Sequence, residues 1–184
     1  MTKKKIIYLT GFMTSGKSTI GPILGNVLGW EFYDLDKVIE KKENKKVVDI
    51  FEIYGEEYFR KIEHDTLYEL SLSSNVVIAL GGGTISQKGN LEIIKNSGIL
   101  VYLKVSPGIL YKRLKNKIDR PLFRELVLGE KSEDEFLNKI DGLLKKREDD
   151  YKQADLVINT DQTRIGVTVD KIAKQIKSLF NEKS

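Results

Sequence analysis

IIYLTGFMTSGKS (residues 6–18) is the stretch from which the rest of this chain can be read. Residues 6–10 form a short apolar run rich in β-branched side chains, as a strand covered on both faces should be. The run stops at Gly11, and Lys17 opens a helical pattern lasting to about Leu28. Between them, Gly11-Phe-Met-Thr-Ser-Gly-Lys-Ser18 meets the pattern G-x-x-x-x-G-K-[ST] in full. A strand before it and a helix after it are the context that separates a phosphate-binding loop from a chance glycine turn. Successive backbone N–H groups around Gly11, Met13, Thr14, Ser15 and Gly16, with the helix start at Thr19, offer partial positive charge to β- and γ-phosphates. Lys17 adds a full charge, and the Ser18 hydroxyl is placed to coordinate Mg²⁺. ATP and Mg²⁺ are the implied cofactors. Many small kinases carry glycine where Thr14 stands; a side chain fits there if the local φ is negative.

Working outward, short apolar runs alternate with longer amphipathic stretches. Gly29-Trp30 closes the first helix, and EFYD (31–34) reads as a brief second strand. Residues 35–44 and 47–72 read as helices, VVIAL (76–80) as a buried strand ending at Gly81, Gly82 and Gly83, and ILVYLKV (99–105) as another. Ser106-Pro107 supplies an N-cap and first helical residue for GILYKRLK. A polar helix at about 132–152, a strand at 155–159 and a helix at about 164–180 complete the chain. Strands alternating with helices predict βαβ units, a parallel sheet and right-handed crossovers. The stretch 115–131 is the least regular and has the look of a mobile lid over a site.

At 184 residues the chain fits a single domain. Its net charge of +4 comes from bases interleaved with acids, as in KKENKK and KKREDD, a solvated surface rather than a nucleic-acid stripe. With no cysteine, disulfides and thiolate metal sites are excluded. No run approaches the roughly 18 apolar residues of a membrane span, and residues 1–10 lack a signal-peptide pattern. A cytoplasmic monomer that uses neither nucleic acid nor membrane is the expectation.

Most phosphate-loop ATPases end a second apolar strand in an aspartate near the metal. VVIAL ends in three glycines instead. The acid must come from elsewhere, and Asp34 and Asp36 are the obvious supply. On an extended segment, residues i and i+2 point the same way, while Asp36 could equally cap the helix KVIEKK. Arg60 with Glu63 is either an exposed ion pair or part of an acceptor site. Glycines at a strand end let a substrate touch the backbone. Arg120-Pro121 suits a lid arginine. Arg147, amid charged neighbours, reads by itself as surface, and His64 as a packed or exposed helix residue. No N-K-x-D motif is present, which argues against a GTPase.

Together GFMTSGKSTIG (11–21), FYDLDKVIE (32–40), IFEIYGEEYFRKIE (50–63), VIALGGGT (77–84), DRPL (119–122) and KREDDYKQAD (146–155) resemble the shikimate kinases. The resemblance implies an α/β fold of the P-loop NTPase type, nucleoside-monophosphate-kinase-like. That fold is a three-layer αβα sandwich with a five-stranded parallel sheet of order 2-3-1-4-5, a substrate-binding region at about 34–63 and a lid at about 115–131. It implies transfer of the γ-phosphate of MgATP to the 3-hydroxyl of shikimate, toward chorismate and the aromatic amino acids. Asp36 would bind the shikimate hydroxyls and take the proton, and Asp34 with Ser18 would support the metal. Arg60 and Arg147 would grip the carboxylate, with Gly81, Gly82 and Gly83 beside the ring. Arg120 and Lys17 would meet the transferring phosphate, and Arg113 and Arg164 would flank the adenine. The family usually continues past the Arg147 position with a Pro-Leu-Tyr-like segment, where this chain has Glu148-Asp149-Asp150, and Phe123 stands where leucine is common. The rival readings are another small-molecule kinase, such as a gluconate kinase, and a non-catalytic nucleotide-binding module.

Overall fold

A computed structural model describes residues 5–118, 121–161 and 164–182. Its centre is β1 (Ile6–Thr10), buried along its whole length. Two parallel neighbours flank it: β3 (Val76–Ala79), with Leu9 opposite Ala79, and β4 (Ile99–Lys104), with Leu9 opposite Val101. The edges are β2 (Glu31–Asp34) beside β3 and β5 (Leu156–Asn159) beside β4, giving the order β2-β3-β1-β4-β5 that the resemblance implied. All five strands run one way, so their C-terminal ends line a single edge, where open α/β sheets bind ligands.

Side-chain alternation along β1 divides the core in two. Ile6 and Tyr8 join Val76, Ile78 and Leu100 under α2 (Leu35–Glu43), α3 (Val47–Ser71) and α4 (Asn90–Ser97). Ile7 and Leu9 join Val77, Val101 and Ile158 under α1 (Lys17–Leu28) and α8 (Ile165–Glu182). A third cluster lies beyond the sheet edge. It gathers Phe12 of the phosphate loop with residues of α5 (Pro107–Leu114), α6 (Pro121–Leu128) and α7 (Glu133–Tyr151).

Two elements differ from the sequence reading. The stretch 115–131 contains a helix, α6, because Phe123 is fully buried between Phe12 and Phe136, at ring separations of 6.2 and 6.0 Å. Helix α3 is interrupted at Gly55, whose φ of 82° and ψ of 173° belong to glycine alone. The interruption falls just ahead of Arg60.

The tightest backbone approach is at Gly98, where β4 enters the sheet. A Cβ there would stand 2.5 Å from the Ile6 carbonyl oxygen and 2.9 Å from the Tyr8 ring. The central strand cannot yield, so Gly98→Ala should cost about 2–3 kcal/mol in urea denaturation. Gly142→Ala, in α7 with open space around it, should instead gain about 0.5–1 kcal/mol.

Candidate active site

The loop of residues 11–18 leaves β1 and folds on itself, with Ser15 N–H donating to the Phe12 carbonyl at 3.1 Å. Gly16 caps α1 in a left-handed conformation with no side-chain hydrogen bond, and the first turn of α1 holds no acid. No acid of the helix itself therefore competes for the amides at its start. Lys17 Nζ donates to the carbonyls of Gly11 and Phe12 at 2.7 and 3.1 Å, and so lies across the loop. From α5, Arg113 Nη1 donates to the Thr14 carbonyl at 2.8 Å. Met13 packs against the third cluster. Thr14 departs from expectation, since its φ is +62° rather than negative. A β-branched residue there is strained, and the Thr14 and Ser15 hydroxyl oxygens are buried without a hydrogen-bond partner.

Asp34 ends β2 and does two things at once. Its Oδ2 accepts from the Ser18 hydroxyl at 3.0 Å, and its Oδ1 accepts the Lys37 N–H at 3.4 Å as the N-cap of α2. The cap is thus Asp34 and not Asp36. Asp36 lies in the first turn of α2 rather than on an extended segment, so it is the start of the helix that brings the two carboxylates to one side. Mg²⁺ needs few protein ligands when phosphates and water supply the rest, and the bonded Ser18–Asp34 pair fits that need. Among the described residues no group of three or more His, Asp or Glu side chains could hold a metal alone.

The glycines after β3 gather the remaining groups. A Cβ on Gly81 would lie 3.1 Å from Asp36 Oδ1, 3.1 Å from Glu63 Oε1 and 3.0 Å from Thr84 Oγ1. On Gly82 it would lie 3.1 Å from Arg147 Nη1, and on Gly83 3.1 Å from Arg60 Nη2. The two arginines so stand at consecutive residues of one turn. Arg60 Nη1 donates to Glu63 Oε2 at 2.8 Å, and Glu63 is 1% exposed. That bond belongs to the interior, not to the surface pair the i, i+3 spacing also allowed. The Arg147 guanidinium lies 6.0 Å from the Phe12 ring centroid, and its Nη1 is buried with no hydrogen-bond partner.

Arg147 is carried there by a helix fixed at both ends. Ser132 and Glu135 form a capping box at the start of α7. At its end Tyr151 stacks on Tyr102 of β4 at 4.3 Å, with the rings 7° apart. The departure at 148–150 leaves this intact, because Glu148 and Asp149 point to solvent and Asp150 accepts from the Ser86 hydroxyl. Arg120 lies outside the described residues, and Arg164 is exposed ahead of α8. Sequence reasoning gave no role to Thr84, whose hydroxyl donates to Glu63 Oε1 at 2.6 Å. No local signal marks it, since the contact spans 21 residues.

Burial pushes the Asp36 carboxyl up to about 6, and the nearby charges of Asp34 and Glu63 push the same way, with Lys17 opposing. A carboxyl poised there is suited to proton transfer near neutral pH.

A phosphate loop at the ligand edge of a 2-3-1-4-5 parallel sheet, facing a turn lined by arginine and carboxylate, defines a P-loop kinase of the nucleoside-monophosphate-kinase-like group. The shikimate kinase family model matches residues 13–177. A shikimate kinase from Chloroherpeton thalassium is 44% identical over 181 residues, covering 96% of this chain and 95% of the relative. One from Chlorobium phaeobacteroides is 45% identical over 176 residues, covering 96% and 93%. Among solved structures, shikimate kinase from Bacteroides thetaiotaomicron superposes with a TM-score of 0.83 at 33% identity, covering 94% of this chain and 98% of that one. Shikimate kinase from Acinetobacter baumannii, in complex with shikimate, gives 0.82 at 35%, covering 96% and 94%. The chain belongs to the shikimate kinase family.

The raised Asp36 has a consequence for stability. The folded chain holds this proton more tightly than the unfolded chain, whose carboxyl has the ordinary value of 3.8. The favourable contribution is complete below 3.8 and is lost as pH rises through about 6, leaving a charged, buried group at neutrality. Asp36→Asn should therefore stabilise the protein at pH 7.5 by about 3 kcal/mol. In denaturant titrations across pH, that gain should shrink below pH 6 and vanish below 3.8.

Proposed function

We infer that this chain transfers the γ-phosphoryl group of ATP to the 3-hydroxyl of shikimate. The observation that carries the reading is the meeting of Arg60, Arg147 and a proton-accepting Asp36 at residues 81–83, beside the phosphate loop. A planar carboxylate is matched by guanidinium forks, and Arg147 Nη1 makes no hydrogen bond within the protein. The loop amides and Lys17 hold the β- and γ-phosphates. Asp36 orients the acceptor hydroxyl and takes its proton as the oxygen bonds to the γ-phosphorus and ADP departs. Ser18 and Asp34 would hold Mg²⁺, which neutralises charge on the phosphate oxygens when bound.

Arg120 is assigned to the lid, closing over the transferring phosphate from 115–131. Arg113 and Arg164 are assigned to the adenine side, and Arg113 already touches the loop. Residues 34–63 are read as the substrate-binding part of one domain. We read the chain as a cytoplasmic protein, since the donor is ATP, and as a monomer. A gluconate kinase would share the hydroxy-acid chemistry, but family membership favours shikimate. A non-catalytic module would not need Lys17, Ser18 and Asp36 together.

Purified protein with Mg²⁺ should release ADP in the presence of shikimate and not of gluconate or AMP, in a coupled assay. Absence of shikimate-dependent turnover at saturating substrates overturns the assignment. Arg147→Ala should raise KM for shikimate by roughly 10- to 100-fold, with KM for ATP within about twofold, the loss expected for a charge-assisted hydrogen bond. Asp36→Asn should lower kcat by roughly 10²- to 10⁴-fold. An equal loss of ATP affinity in the Arg147 variant would rule out its carboxylate role.

A further inference from the structure

The glycines 81–83 have no side chains with which to anchor themselves, and glycine has the widest backbone freedom of any residue. Their shape must be imposed from the two ends of the turn. One end is secured by β3, where Leu80 N–H donates to the Leu9 carbonyl at 2.9 Å. The other end is Thr84, which is 0% exposed and tied to neighbouring residues of α3 in two ways, directly to Glu63 and through Asn90 of α4 to His64. Its hydroxyl donates to Glu63 Oε1 at 2.6 Å, and its carbonyl accepts from Asn90 Nδ2 at 2.9 Å. Asn90 is also 0% exposed, and its Oδ1 lies 2.7 Å from His64 Nδ1.

The direction of each bond is forced. A backbone carbonyl only accepts, so the Asn90 amide must present its nitrogen to Thr84 and its oxygen to His64. His64 Nδ1 must then carry a hydrogen and donate it. That hydrogen is present in both the Nδ1–H neutral tautomer and the imidazolium. At the far end Glu63 Oε2 accepts from Arg60 Nη1 at 2.8 Å, and Arg60 Nη2, which donates to Glu56 Oε1 at 3.2 Å, also reaches the place of a Gly83 side chain. One connected series thus runs His64, Asn90, Thr84, Glu63, Arg60, with donations converging on the Glu63 carboxylate from both sides, and both ends of it stand on α3.

We propose that His64 and Asn90 are positioning residues for the acceptor site, holding Thr84 so that the glycine turn and Arg60 keep their spacing. This rests on the reading that Arg60 and the turn receive the shikimate carboxylate. Neither residue touches substrate, so its effect should fall on one KM and not on the other.

The test measures KM for shikimate, KM for ATP, and Tm for His64→Ala, His64→Asn, Asn90→Ala and Arg60→Ala. An asparagine amide nitrogen falls where histidine Nδ1 stands and can donate the same bond. We expect His64→Ala and Asn90→Ala to raise KM for shikimate roughly tenfold, with KM for ATP within about twofold. His64→Asn should recover the wild-type value to within about twofold. If Asn90→Ala does not fold, the His64 pair decides alone. Equal impairment of His64→Asn and His64→Ala, or an unchanged KM for shikimate in His64→Ala while Arg60→Ala raises it, overturns the proposal. An Arg60→Ala protein with unaltered KM for shikimate overturns the carboxylate reading itself, and this inference with it.

Discussion

A carboxylate almost wholly removed from water is costly unless its oxygens are both engaged. Glu63 meets that condition by binding Arg60 with one oxygen and Thr84 with the other. Much of the site follows from this. Together with Glu56, the bond to Arg60 holds that guanidinium beside Gly83, and the bond to Thr84 ties α3 to the segment leaving β3. Glu63 also adds negative charge beside Asp36, which strengthens the hold of Asp36 on the proton it accepts. A single buried side chain thus couples the carboxylate end of the acceptor site to its proton-accepting end.

The donor half is organised by different means. In the phosphate loop the attraction is spread over backbone amides and the start of α1, and the side chains secure the loop's shape. Arg113 holds Thr14 from α5, Phe12 is sunk in the third cluster, and Lys17 crosses the loop to Gly11 and Phe12. Strain at Thr14 and two unpartnered hydroxyls are tolerated because the surroundings over-determine the conformation. Phe12 links the halves, since it packs on Phe123 of α6 and lies under Arg147 of α7. Movement of α6 or α7 would therefore be felt at the loop.

The reading from sequence succeeded where the signal is local and periodic. Strand runs, helix stripes and the phosphate loop were legible because each depends on residues within a few positions of one another. It faltered where one side chain has two possible partners. Asp34 rather than Asp36 became the cap because α2 begins one residue after β2 ends. Thr14 adopted a positive φ that its side chain disfavours. Residues 115–131 looked irregular, yet Phe123 there found two aromatic rings from distant segments and α6 formed around it. Arg147 looked like surface by its neighbours, and the packing of Tyr151 on Tyr102 is what turns its side of α7 inward.

The sequence by itself determined that five short strands would lie parallel, that a triphosphate loop would follow the first, and that the buried strand VVIAL would end in glycines rather than an aspartate. Hydrophobic period, turn chemistry and motif spacing are short-range properties and need no partner to be read. Only the tertiary structure decided which charges are buried and which face water. The same arginine and glutamate three residues apart make a weak surface pair or a structural bond, depending on what packs above them. Here Thr84, brought from 21 positions away, closes over Glu63, and the pair becomes the frame of the acceptor site.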